Sequence, residues 1–205
     1  MNLPNKITLS RILIVPIFML FILPIPEVFI NSIHWQFLAN QLRMLSNFIA
    51  HFGHYIAAII FIIAASTDGI DGYIARKTKQ ITKFGIFLDP VADKLLVTAA
   101  LIALVQRGDI SGWSAMIIIG RELMVMGLRL VAAGEGTVIS ASKLGKAKTI
   151  TQVIAISATL LQNYPLSLFT DFRFDKYAII AAVVITIYSG YDYLAKNIKF
   201  IRSDN

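Results

Sequence analysis

Cysteine is absent from this 205-residue chain, which excludes a disulfide framework, a thiolate metal site and a cysteine nucleophile. Charge is almost as scarce. Only 15% of the residues are Asp, Glu, Lys or Arg and 57% are hydrophobic, whereas soluble domains carry about 25% charged residues. Histidine occurs three times, and there is no internal repeat and no low-complexity linker. So much apolar surface with so few charges excludes an ordinary cytosolic enzyme and a disordered chain. What remains is a mean hydropathy of +0.70 and a net charge of +7, from 19 basic against 12 acidic residues. The composition reads as one integral membrane domain, residues 1–205, in which the few acids carry most of the information.

A helix needs about 20 mainly apolar residues to cross the hydrocarbon core. Met44–Thr67 and Thr149–Thr170 qualify without a formal charge, and Tyr177–Ala195 with one, Asp192. Ile12–Ile30 qualifies but contains Pro16, Pro24, Pro26 and Glu27, which predicts a kink or an early end. Ile86–Gln106 and Trp113–Ala133 complete the set if Asp89, Asp93, Lys94, Arg121, Glu122 and Arg129 are accepted inside them. The expected fold is all-α, with six transmembrane helices and a short amphipathic interfacial helix, Asn2–Arg11, ahead of the first. No small-residue cleavage site follows Ile25, so the first span is read as uncleaved.

Six spans put both termini on one side. Lys6, Arg11, Arg76, Lys77, Lys79, Lys83, Lys143, Lys146, Lys148, Lys196, Lys199 and Arg202 share that side, against Arg43, Arg107, Arg173 and Lys176 on the other. Twelve against four places the termini in the cytoplasm. Without a transit peptide, a bacterial plasma membrane is the expected location. The +7 is thereby absorbed by topology and by anionic substrates, and nucleic acid is not needed to explain it.

Acids inside apolar spans are expensive and by default functional. Asp68 and Asp71 stand three residues apart at the end of the second span, and Asp89 and Asp93 four apart at the start of the third. Each spacing brings its pair to one helix face. From Phe48 to Asp68 is about 30 Å of helix, one core thickness, so the four carboxylates are expected to meet at the cytoplasmic edge. They would repel one another unless a cation sits among them. An all-oxygen donor set suits a hard cation such as Mg²⁺, Mn²⁺ or Ca²⁺. His34, His51 and His54 fall toward the other side, which argues against zinc. Gly72, Ala75 and Gly85 lie between the acids; they either admit a ligand close to the backbone or serve helix packing.

The run from Asp68 through Asp71, Gly72, Ala75 and Arg76, then eight residues to Gly85, Asp89 and Asp93, resembles the signature of the CDP-alcohol phosphotransferase family. That pattern is D-x-x-D-G-x-x-A-R-x8-G-x3-D-x3-D, and all eight specified residues match. The resemblance implies that Asp68, Asp71, Asp89 and Asp93 hold Mg²⁺ or Mn²⁺, two ions per site, and that Asp93 is the general base. It implies that Asp68, Gly72, Ala75, Arg76 and Gly85 take the CDP-linked lipid, and that the chain is a homodimer among membrane lipids. The acceptor oxygen then attacks the β-phosphorus and CMP leaves, chemistry that metal ions assist by neutralising the diphosphate.

A second group of charges bears on the acceptor. Arg121 and Arg129 are eight residues, about two turns, apart, and Lys143, Lys146 and Lys148 follow. These five cations are candidates for receiving a phosphate; the alternative is that Arg121 pairs with a neighbouring acid and that the lysines are topology signals. Gly120–Glu122, Gly127–Arg129, Gly145–Thr149 with Gln152, and the opening Leu3–Arg11 resemble the members of that family whose acceptor is glycerol 3-phosphate and whose donor is CDP-diacylglycerol. Asn5, Thr8 and Arg11 are then further contacts to the CDP diphosphate, or simply a helix start and interfacial anchor. Other acceptors within the family are inositol phosphate, serine and phosphatidylglycerol. From a different class, a divalent-cation transporter would also use clustered acids, but such folds favour repeats and midplane sites.

Overall fold

The computed structural model describes the backbone of residues 3–78, 83–134 and 143–197, and the side chains of residues 9–67, 91–92, 94–134 and 144–197. Among the described residues every regular element is helical. Two helical runs, Gln36–Thr67 and Phe174–Asn197, are long and apolar enough to cross a membrane, with mean hydropathies of 2.0 and 1.6. The chain forms two compact units, Met1–Arg107 and Gly108–Asn205.

In the first unit α1 (Leu3–Ile22) packs against both α4 (His54–Thr78) and α5 (Lys83–Gln106). The residues expected to form a separate interfacial helix are instead the first turns of α1, continuous with the rest of that helix. Pro4 sits in the first turn, where a missing N–H is harmless, so nothing separates the two. The helix runs on through Pro16 and stops at Ile22, rather than reaching Ile30. Pro24 disfavours a helical Leu23, and Pro26 starts α2 (Glu27–Asn31) from an extended conformation.

The second span also starts earlier than the charge-free run predicts. Helix α3 (Gln36–Phe48) passes through a π-helical turn, Ile49–Gly53, into α4 without a break. At about 1.5 Å per residue the whole run is ~65 Å, twice the core thickness. Arg43 Nη2 donates to Asn31 Oδ1 at 2.8 Å and Ser46 Oγ to the Ile25 carbonyl at 3.1 Å, tying α3 back to the preceding segment. Gly53 is required where α1 crosses the π turn. A Cβ there would lie 2.1 Å from the Phe21 carbonyl oxygen, far inside contact distance. Ala57, Ala58 and Ala64 on α4 and Ala92, Ala100 and Ala103 on α5 are buried, and Phe18 of α1 meets Phe61 with ring centroids 6.4 Å apart.

In the second unit α8 (Phe174–Asn197) packs against both α6 (Gly112–Gly134) and α7 (Lys143–Leu160). Its buried face includes Ile179, Ala182, Thr186, Ser189, Gly190 and Tyr193, most of them small or polar. The expected fifth span, Thr149–Thr170, ends ten residues early and begins six early, because α7 covers Lys143–Leu160. Its end is set by Gln162 and Asn163, both in the left-handed region at φ 53° and 67°. The buried Asn163 side chain then donates to the Phe172 carbonyl at 2.8 Å and accepts from the Asp175 N–H at 3.4 Å, fixing the turn into α8. Arg173 closes the same turn with a two-pronged bond to Asp175, at 3.0 and 2.8 Å. That hydrogen bond, and behind it the carboxylate's charge, holds the Arg173 guanidinium above its ordinary pKa.

In both units many large apolar residues face outward, although others, Phe18, Phe61, Leu101, Leu104, Ile118 and Ile156 among them, fill the interior. Ile59, Ile63, Ile102, Met116, Leu123, Leu130, Ile150, Ile180, Val184 and Ile187 are all exposed. Met116, Leu123 and Leu130 repeat every seven residues along one face of α6. Water would penalise that surface, and hydrocarbon does not.

Candidate active site

The eight signature residues fall on two helices. Asp68, Asp71, Gly72, Ala75 and Arg76 occupy the last turns of α4, and Gly85, Asp89 and Asp93 the first turns of α5. The three- and four-residue spacings are therefore helical, as the face argument needs. The side chains of all eight lie outside the described residues, as do those of Asn5 and Thr8 on α1 and Lys143 at the start of α7. Arg11 is described: it is buried in α1. Among the described residues no three His, Asp or Glu gather as metal ligands.

The turn of α4 that leads into the acids is described, and it conserves the helix. Ser66 Oγ donates to the Ile62 carbonyl at 2.7 Å, and Thr67 Oγ1 to those of Ile63 and Ala64 at 2.8 and 2.9 Å. Both hydroxyls are satisfied within their own helix, the arrangement that apolar surroundings favour.

The second group of predicted residues is resolved in detail. Arg121 Nη1 donates to Glu122 Oε1 at 3.3 Å, and the Lys148 ammonium donates to that same oxygen. Arg121 Nη2 reaches across to Ser189 Oγ on α8 at 2.8 Å. The side chains of Arg121, Glu122 and Lys148 are only 10%, 8% and 4% exposed, so two cations and one carboxylate share a dry interior. Beside them Gln152 Nε2 donates to Thr186 Oγ1 at 3.0 Å, both residues being buried. A charge in such a setting is strongly penalised unless paired, which is the role the shared oxygen plays.

The other predicted cations behave differently. Arg129 Nε donates to Tyr193 Oη at 3.0 Å while its guanidinium carbon lies 5.6 Å from the centre of that ring. Lys146 is exposed, two residues from Lys148 and on another face of α7. Arg121 and Lys148 are thus brought together, Arg129 is held on an aromatic ring, and Lys146 stands apart from both. Asp192 is accounted for by Lys196, four residues on, at 2.7 Å.

Sequence reasoning did not single out Ser189, Gly190 or Tyr193. The signal available was the run of small residues in an otherwise bulky eighth helix. A polar cavity of about 280 Å³, lined by Asp109, Thr159, Gln162, Asn163, Arg173 and Asp175 among others, lies at the opposite end of α7 and α8. Asp175 and Ser189 are about 21 Å apart along α8, so this cavity is separate from the Arg121 cluster.

The chain is similar throughout its length to proteins of known name. It is 47% identical over 204 residues to the CDP-diacylglycerol–glycerol-3-phosphate 3-phosphatidyltransferase of Bacillus subtilis, covering 100% of this chain and 99% of that one. It is 37% identical to the protein of the same name from Pseudomonas fluorescens, covering 100% and 94% of the two chains. With that of Rickettsia bellii it shares 34% identity, over 94% and 93%. Residues 1–188 match the CDP-alcohol phosphatidyltransferase family. A match spanning both compact units, with the acidic signature complete on α4 and α5, makes the chain a member of the CDP-alcohol phosphatidyltransferase family.

Proposed function

We propose that this protein transfers the phosphatidyl group of CDP-diacylglycerol to sn-glycerol 3-phosphate, giving phosphatidylglycerophosphate and CMP. The observation that carries this reading is full-length similarity, 47% over 204 residues, to an enzyme named for that reaction. The juxtaposed Arg121 and Lys148 support the same acceptor, because guanidinium and ammonium groups are the side chains that bind phosphate oxygens.

In this reading the whole chain acts as one domain with six spans, its termini and site toward the cytoplasm of a bacterial plasma membrane. It works as a homodimer. Asp68, Asp71, Asp89 and Asp93 supply an all-oxygen donor set that fits two Mg²⁺ or Mn²⁺ ions. Bound there, the ions neutralise the diphosphate and the charge that develops on departing CMP. Gly72, Ala75 and Gly85 leave room for the CDP group, with Arg76, Asp68, Asn5, Thr8 and Arg11 contributing to its binding. Asp93 takes the proton from the acceptor hydroxyl, the oxygen attacks the β-phosphorus, and the bond to the CMP oxygen breaks. Arg121 and Lys148, with Arg129, Lys143 and Lys146 as further cations, receive the acceptor's phosphate.

The test is the acceptor dependence of CMP release by the purified protein. CDP-diacylglycerol is supplied with glycerol 3-phosphate, inositol phosphate, serine or phosphatidylglycerol in turn. Release is expected with glycerol 3-phosphate, and release only with another acceptor overturns the assignment.

A further inference from the structure

Arg121 is not positioned by its own helix alone. Of its three side-chain nitrogens, Nη1 donates to Glu122 Oε1 and Nη2 to Ser189 Oγ, while Nε is buried and has no hydrogen-bond partner. Lys148 is held on the Glu122 oxygen that also accepts from Arg121. The stem of Arg121 runs over Gly190, where a Cβ would lie 3.1 Å from Arg121 Cγ and 3.9 Å from Nε.

We propose that Glu122, with Ser189 and Gly190, is a positioning device that fixes Arg121 and Lys148 for the phosphate of the acceptor. This rests on the reading of those two cations as the acceptor's phosphate contacts. Two like charges in a dry interior repel each other and move apart unless an anion lies between them. One carboxylate oxygen between them keeps both cations within hydrogen-bond reach of a single point. Ser189 then fixes the rotation of the guanidinium, and Gly190 lets its stem lie flat against α8. A purely structural ion pair normally satisfies every buried donor. Here one is left over, the Nε–H, on the edge of the guanidinium fork through which arginine grips phosphate oxygens in pairs.

The sign of the effect separates positioning from simple charge. Glu122→Gln keeps the shape and an accepting oxygen but loses the negative charge. If Glu122 acted only as a nearby anion, its loss would attract the acceptor more strongly and lower KM. As a positioning group, its loss raises KM for glycerol 3-phosphate by about tenfold, the scale of a charged hydrogen bond, and leaves KM for CDP-diacylglycerol unchanged. Ser189→Ala, a milder change that also decides the matter if the Glu122 variant fails to fold, raises the acceptor KM by about threefold. Steady-state kinetics on the purified full-length protein read both constants, with Arg121→Ala measured in parallel. If Arg121→Ala raises the acceptor KM while Ser189→Ala and Glu122→Gln leave it unchanged or lower it, the positioning role is overturned and the phosphate contact stands. If Arg121→Ala leaves the acceptor KM unchanged, the phosphate reading fails and the positioning role with it.

Discussion

Asp93 and Glu122 are single carboxylates on apolar helices, and the proposed roles give them opposite tasks. The base proposed at Asp93 would take up and release a proton in each turnover. Glu122 instead stays paired, with Arg121 on one side and Lys148 on the other. Asp93→Asn keeps the size of the side chain but cannot accept the acceptor's proton. Turnover is expected to fall by about 10²–10⁴-fold, with CDP-diacylglycerol binding retained in a direct binding measurement. Near-normal turnover would remove Asp93 from the base role. At this scale the two groups differ in how much the sequence discloses. The signature acids announce themselves because their spacing is local, three and four residues on apolar helices. Lys148 is 26 residues from Glu122, and Ser189 is 68 from Arg121. Tertiary packing alone creates those two contacts, so the cations and a pairing of Arg121 with a neighbouring acid were legible in the sequence, whereas the Lys148–Glu122 and Arg121–Ser189 contacts were not.

Among the elements, hydropathy located the helices and misjudged their ends. A charge-free run has no marker for where the backbone stops being helical. Helix α7 ends at Leu160 because Asn163 and its neighbour adopt left-handed conformations and Asn163 bonds the following turn. Upstream, Gln36–Phe48 is polar enough to break the apolar run at Met44, although the backbone remains helical through it. The Gly53 crossing shows what holds the first unit together. Gly53→Ala forces a methyl into the Phe21 carbonyl, and the expected loss is about 1–3 kcal/mol, the usual penalty of overpacking. Gly127→Ala is the control, since a Cβ there meets nothing within 4 Å and the helix gains propensity. Thermal unfolding in detergent should show a lower midpoint for the first substitution only. Equal midpoints would mean that α1 does not depend on this approach.

For the molecule as a whole, the scarcity of charge and the absence of cysteine acquire meaning together. Among the described residues large apolar side chains cover much of the outside as well as part of the inside, and several of the few charges are held in pairs. A chain without cysteine accepts single cysteines as unambiguous reporters of sidedness. In the six-span arrangement Ser111→Cys and Asp171→Cys face the outside, and Ser203→Cys the cytoplasm. A membrane-impermeant maleimide applied to intact cells is expected to label the first two and spare the third. Labelling of all three, or of Ser203→Cys alone, would contradict the topology.

The central claim concerns one bond made and one broken, and it is tested most directly by following phosphorus. CDP-diacylglycerol labelled at its β-phosphorus is incubated with the purified protein and glycerol 3-phosphate carrying a second label. Attack at the β-phosphorus predicts a single lipid product bearing both labels, with CMP carrying neither. Labelled CMP, or a lipid that lacks the glycerol 3-phosphate label, would contradict the account.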